Sequence, residues 1–160
     1  MYVCNCGVAY SATRRGIMDT LDITRTIDIN APIQRVWDAL TKAELIAQWF
    51  GDAAELEPIP GGTGFFGWNA HGKFRVVVES AEAPHTLVYR WAHREADADP
   101  TPENSTVVRF DLTEIDGGTR LDLRETGFEN LADPQTAYSE NSGGWTAELD
   151  DLVAYLQASV

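Results

Sequence analysis

The chain has 160 residues, 44% of them hydrophobic, and 12 Lys and Arg against 25 Asp and Glu give a formal net charge of -13. That length suits a single domain with room for a real core and a cavity. The charge opposes phosphate backbones and anionic lipid, which sets aside nucleic acid and membrane surfaces as partners; no run approaches the ~18 apolar residues that span a bilayer, and the cytoplasm is the expected location.

Residues 1–17, MYVCNCGVAYSATRRGI, lack the apolar stretch of a signal peptide and read as a mobile N-terminal tail. Met18 then opens a single domain over 18–160. The opening MYVC resembles that of the bacterioferritin-associated ferredoxins, which carry an iron–sulfur cluster. That ligation needs two further thiolates, and the chain has no cysteine besides Cys4 and Cys6. No cofactor and no metal are expected.

From Leu21 the pattern becomes regular. DITRTIDIN alternates, with Ile23, Ile27 and Ile29 on one face of a half-buried strand. Asn30 offers a polar cap and Pro32 suits the first turn of a helix, which Val36, Trp37 and Leu40 give an apolar stripe. KAELIAQWF supplies a second short helix that Gly51 stops. The pair reads either as packing against a sheet edge or as a lid over a cavity mouth.

Strands follow: GTGFFGWNA, GKFRVVVESAEA, HTLVYRWAHRE, STVVRFDLTEID and TRLDLRETGF are rich in β-branched and aromatic residues and bounded by Gly, Pro or Asp. Alternation puts Phe74, Val76 and Val78 on one face, with Leu87, Tyr89 and Trp91, then Val108, Phe110 and Leu112, then Leu121 and Leu123. Arg75, Arg90, Arg109, Asp111, Asp122 and Arg124 form the solvated face. Asp116–Gly118 is a hairpin turn, because those residue types accept positive φ. Short sequential loops favour an antiparallel meander. Whether Phe65 or Phe66 points inward stays open, since flanking glycines leave room for a bulge.

Trp145, Leu149, Leu152, Val153 and Leu156 recur at helical spacing, with Thr146, Glu148, Asp150 and Asp151 on the wet side. Pro134 is placed to start this helix earlier, capped by Asp133, which leaves Gly143 and Gly144 inside it.

The segments INAPIQRVWDALTKAELIAQWF, RFDLTEIDGGTRLDLRETGF and GGWTAELDDLVAYL, in that order, resemble the helix-grip proteins of the START and birch-pollen-allergen (SRPBCC) superfamily. Within it the chain is most similar to the family named for the C-terminal domain of the activator of the 90-kDa heat-shock protein ATPase. The likeness runs from about Asp19 to Leu156. It implies an α+β helix-grip fold: a curved antiparallel β-sheet of about six or seven strands, wrapped around a long C-terminal α-helix, with two short helices after the first strand. It also implies an apolar cavity between helix and sheet, entered between the Trp49–Phe50 corner and the helix near Trp145.

The strand faces nominate Trp49, Phe66, Trp68, Phe74, Tyr89, Trp91, Phe110, Leu123, Tyr138, Trp145 and Leu149 for the cavity wall. His71, His85 and His93 lack metal-ligand spacing and read as surface or turn positions. Arg124 and Glu125 read as an exposed ion pair, with either turning inward only if alternation breaks. PGGTGFFG opens a strand and not a helix, so it is no phosphate cradle, and no nucleophile elbow or catalytic residue is nominated. Three functions follow in order. The first is a binder of a small apolar or aromatic molecule, as monomer or homodimer. A chaperone-directed module comes second, and a polyketide cyclase- or dehydratase-like enzyme third, the last needing a positioned acid or base.

Overall fold

The structure, a computed structural model, describes residues 21–93 and 95–158. The assigned tail at 1–17 and the start at Met18 lie outside them. In chain order the elements are β1 (Ile23–Ile29), α1 (Ile33–Thr41), α2 (Ala43–Trp49), β2 (Ala53–Leu56), β3 (Thr63–Trp68), β4 (Gly72–Glu82), β5 (Thr86–Ala92), β6 (Ser105–Ile115), β7 (Gly118–Thr126), a 3-10 turn (Phe128–Asn130) and α3 (Pro134–Ala158). The strands form one seven-stranded sheet, ordered β1-β7-β6-β5-β4-β3-β2, with every pairing antiparallel. This is the expected α+β helix grip.

Apart from the irregularity in β4, alternation is kept along the strands, so one face is mostly apolar. Leu121 and Leu123 of β7 stand opposite Leu112 and Phe110 of β6, and Tyr89 of β5 stands opposite Val108. Over this face lies α3, which buries Leu149, Leu152 and Leu156. Each such leucine contributes about 1.5–3 kcal/mol relative to an exposed one. Pro134 does open α3, and Asp133 accepts from the Thr136 and Ala137 amides through its side chain and carbonyl. The helix continues through Gly143 and Gly144, which face open space.

The β6–β7 hairpin turns at Asp116-Gly117, where Gly117 takes φ +86°. At the end of α2, Gly51 takes φ +74°, and a Cβ there would lie 2.5 Å from the Gly67 carbonyl oxygen. Only glycine lets the corner after Trp49 press this closely on β3.

Two local readings change. Asn30 does not cap α1: the helix starts after Pro32, whose carbonyl accepts from the Arg35 and Val36 amides. The short edge strand β2 was not foreseen, since its four residues carry one large apolar side chain, Leu56. Phe66 is the inward residue of its pair. β3 pairs without a bulge on both sides, and the irregularity falls in β4 between Val78 and Ser80. Phe65 stays on the outer face, its ring 4.5 Å from Lys73 Nζ.

Candidate functional site

Between the β3–β5 side of the sheet and the first half of α3 lies a pocket of about 740 Å³. Its sheet wall is Trp68 from β3, Phe74 from β4 and Trp91 from β5, with His93 just beyond. Phe50, after α2, closes one end, and Asn141, Trp145 and Glu148 face it from α3. The rings are in mutual contact. Trp68 and Trp91 lie 6.0 Å apart at 29°, and Trp145 meets Trp91 at 6.2 Å. Phe50 stacks on Trp145 at 5.4 Å and 10°. That stacking closes the entrance expected between the Trp49–Phe50 corner and Trp145. The wall reaches solvent instead past His71, Glu140 and Gly144, which are exposed.

Beneath Trp145 lies Glu125, with 0% of its surface exposed. It accepts hydrogen bonds from Thr106 Oγ1 at 2.5 Å, Trp145 Nε1 at 2.8 Å and Asn141 Nδ2 at 3.0 Å. The expectation of an exposed Arg124–Glu125 pair is thus wrong in half. Arg124 is exposed and pairs with Asp22 at 2.7 Å, whereas Glu125 turns inward. Alternation does not break to bring it there; Leu121, Leu123 and Glu125 are simply in phase. A carboxylate moved out of water costs several kcal/mol unless it is well hydrogen-bonded, and these donors meet that need.

The chain of bonds continues outward. Thr106 has one hydroxyl proton and donates it to Glu125, so its oxygen accepts from His93 Nε2 at 2.7 Å. This fixes the His93 proton on Nε2, with Glu125 Oε2 3.6 Å away. His93 is therefore no surface histidine; its side chain is 12% exposed and forms part of the wall. Burial first, and then the Glu125 charge, push the Tyr89 phenol well above its ordinary range, so it stays a neutral part of the wall's backing.

Glu148, assigned to the wet side of the helix, is half-buried at the pocket. Burial and the Asp151 carboxylate push its carboxyl up to about 7, against a smaller downward pull from the Trp68 indole hydrogen bond. Trp91 Nε1 is buried and has no partner among the described residues. Buried donors are rarely left so. Among the described residues no three His, Cys, Asp or Glu side chains gather as metal ligands.

Of the residues nominated for the wall, Trp68, Phe74, Trp91 and Trp145 line this pocket. Trp49, Phe66, Tyr89, Phe110, Leu123 and Leu149 lie buried in the core instead. Other groups take up their faces. Trp49 donates its indole N–H to the Ala39 carbonyl at 2.8 Å, and Tyr89 sits between Phe66 and Phe110 at 5.4 and 6.1 Å. Tyr138 packs half-buried on Phe128, 5.6 Å between centroids. The polar members that were missed had a signal in their phase. His93 follows Tyr89 and Trp91, Thr106 precedes Val108 and Phe110, and Asn141 lies one helical turn before Trp145.

Among solved structures the fold is shared with the protein MLL2253 from Mesorhizobium loti, at 25% identity and TM-score 0.75, covering 87% of this chain and 98% of that one. CalU16 from Micromonospora echinospora matches at 24% identity and TM-score 0.64, over 84% and 75% of the two chains. The Aha1 dimer from Colwellia psychrerythraea matches at 19% identity and TM-score 0.70, over 84% and 95%. No curated protein matches the chain. A family model aligns with residues 30–157, from the turn before α1 to the last residues of α3, and so the chain belongs to the family described as Activator of Hsp90 ATPase homolog 1-like protein.

Proposed function

We propose that this protein binds a small apolar or aromatic molecule in the pocket between β3–β5 and α3. One observation carries the reading: three tryptophan and two phenylalanine side chains line a half-open pocket of about 740 Å³. Interiors otherwise pack to the density of organic crystals, so a space this size between aromatic faces suits a guest.

The test uses Nile red, a neutral hydrophobic fluorophore. The folded protein should bind it about one-to-one, with a change in tryptophan emission. Trp91→Ala should weaken that binding. Leu152→Ala, which empties a fully buried core position, should cost stability and leave binding unchanged. Absence of binding by the folded protein would refute the reading.

A chaperone-directed module is the second reading, favoured by the description of the family and by the Aha1 neighbour. Native mass spectrometry of protein from its own host separates the two. A co-purified small molecule supports the first, and a stoichiometric chaperone ATPase without one supports the second.

A further inference from the structure

The rings of the pocket are accompanied by charge of one sign. Glu140 and Glu148 line it, no Lys or Arg is among its lining residues, and Glu125 lies behind Trp145. Neither lining carboxylate is in an ion pair among the described residues. Resting on the binding reading above, we propose that the pocket selects cationic ligands, namely flat aromatic amines or aryl quaternary ammonium compounds, over neutral and anionic molecules of the same shape.

Each part of the site contributes to that selection. Trp68, Trp91 and Trp145 all line the pocket, and indole is the strongest of the side-chain partners for a cation. Glu148 stands half-buried beside these rings without a countercharge. The raised titration of its carboxyl, to about 7, is the mark of a negative charge the site leaves unbalanced. A bound cation supplies what is missing. The net charge of -13 raises the concentration of cations around the whole molecule and favours their arrival.

Binding should also release protons. A cation beside Glu148 favours its carboxylate, so affinity should rise as pH goes from 6 to 8. The titratable groups around Glu148 are Asp151 on its own helix, Glu140, His71 and His93, which line the same pocket, and Glu125 behind Trp145. The Glu148→Gln variant separates the contributions.

The experiment compares three probes of one shape by calorimetry and tryptophan quenching at pH 8: 9-aminoacridine as cation, acridine as neutral molecule and acridine-9-carboxylate as anion. The cation should bind about one-to-one and about tenfold more tightly than acridine, the size of effect expected from a desolvated cation–aromatic contact. The carboxylate should bind weakest. Glu148→Gln should cut the preference for the cation several-fold and diminish the proton release measured at pH 7, where the carboxyl is half protonated, while Asp116→Asn on the exposed β6–β7 turn should leave both unchanged. Equal or tighter binding of acridine or its carboxylate overturns the charge preference and leaves the binding reading standing. An equal loss from Asp116→Asn overturns it too, because the attraction would then belong to the general surface. If none of the three probes binds while Nile red does, this inference fails and the binding reading stands; if Nile red does not bind either, both fail.

Discussion

Phe50→Ala tests whether the corner after α2 is built into the core or hinges over the pocket as a lid. Phe50 is 3% exposed, and its ring centroid lies 5.0 Å from those of Trp49 and Phe66, 5.2 Å from Trp68, 5.4 Å from Trp145 and 5.7 Å from Trp91. Truncation of a core phenylalanine costs about 3–5 kcal/mol. Phe50 also lines the pocket, into which the surrounding side chains can relax, and this puts the expected loss at the lower end, about 3 kcal/mol. In a domain of this size that lowers Tm by roughly 6–12 °C. Chemical denaturation followed by far-UV circular dichroism should show a lower midpoint with an unchanged m-value. Ile59→Ala, at a position 52% exposed, should stay within about 0.5 kcal/mol of the parent and serves as the control. A loss below about 1 kcal/mol for Phe50→Ala would mean that the corner opens easily in the native state. The packed arrangement of the five surrounding rings would then not describe the protein in solution.

Two further outcomes follow from single positions. The Glu148 carboxyl titrates near 7 in the folded protein against 4.5 ordinarily, so the stability it contributes is complete below about 4.5 and lost as pH rises through about 7. Glu148→Gln should therefore match the parent at pH 4 and exceed it at pH 8, by about 1 kcal/mol or less once solvent screening of this half-exposed group is allowed for; melting curves at the two pH values check the sign. Gly143→Ala places a methyl where no atom lies within 4 Å and removes a glycine from the interior of a helix. It should stabilise by about 1 kcal/mol and raise Tm by roughly 2–4 °C. A fall instead would show that α3 is interrupted there.

The fold was legible because its two periods are clean. Six strands of alternating sequence and one stripe of Trp145, Leu149, Leu152 and Leu156 leave few ways to bury both apolar faces together. β2 escaped because a four-residue edge strand needs no alternation of its own when β3 supplies every partner. The site was half legible. Alternation separated inward from outward residues, yet inward rings reach a pocket only where α3 leaves them uncovered, and that depends on how the helix sits. It uncovers Trp91 while Phe110 meets the Trp145 ring at 5.9 Å. Glu125 and His93 were misread for the opposite reason. Their positions had the right phase, and residue type was allowed to override it. The partners that make their burial tolerable, Thr106 and Asn141, are 19 and 16 residues away from Glu125 in the chain, beyond the reach of any local pattern.

The carboxylate under Trp145 also constrains how this sequence can diverge. Position 125 on β7 is tied to position 106 on β6 and to positions 141 and 145 on α3. An apolar residue arriving alone at 125 strands an indole N–H and a hydroxyl in the interior. A change that removes the indole or the amide alone leaves a buried acid short of donors. Descent along this lineage should therefore alter the four positions as a set, through intermediates of lowered stability, or keep them together. The wall residue Phe74 carries no such tie and is free to drift alone. The pocket can change its guest faster than its floor.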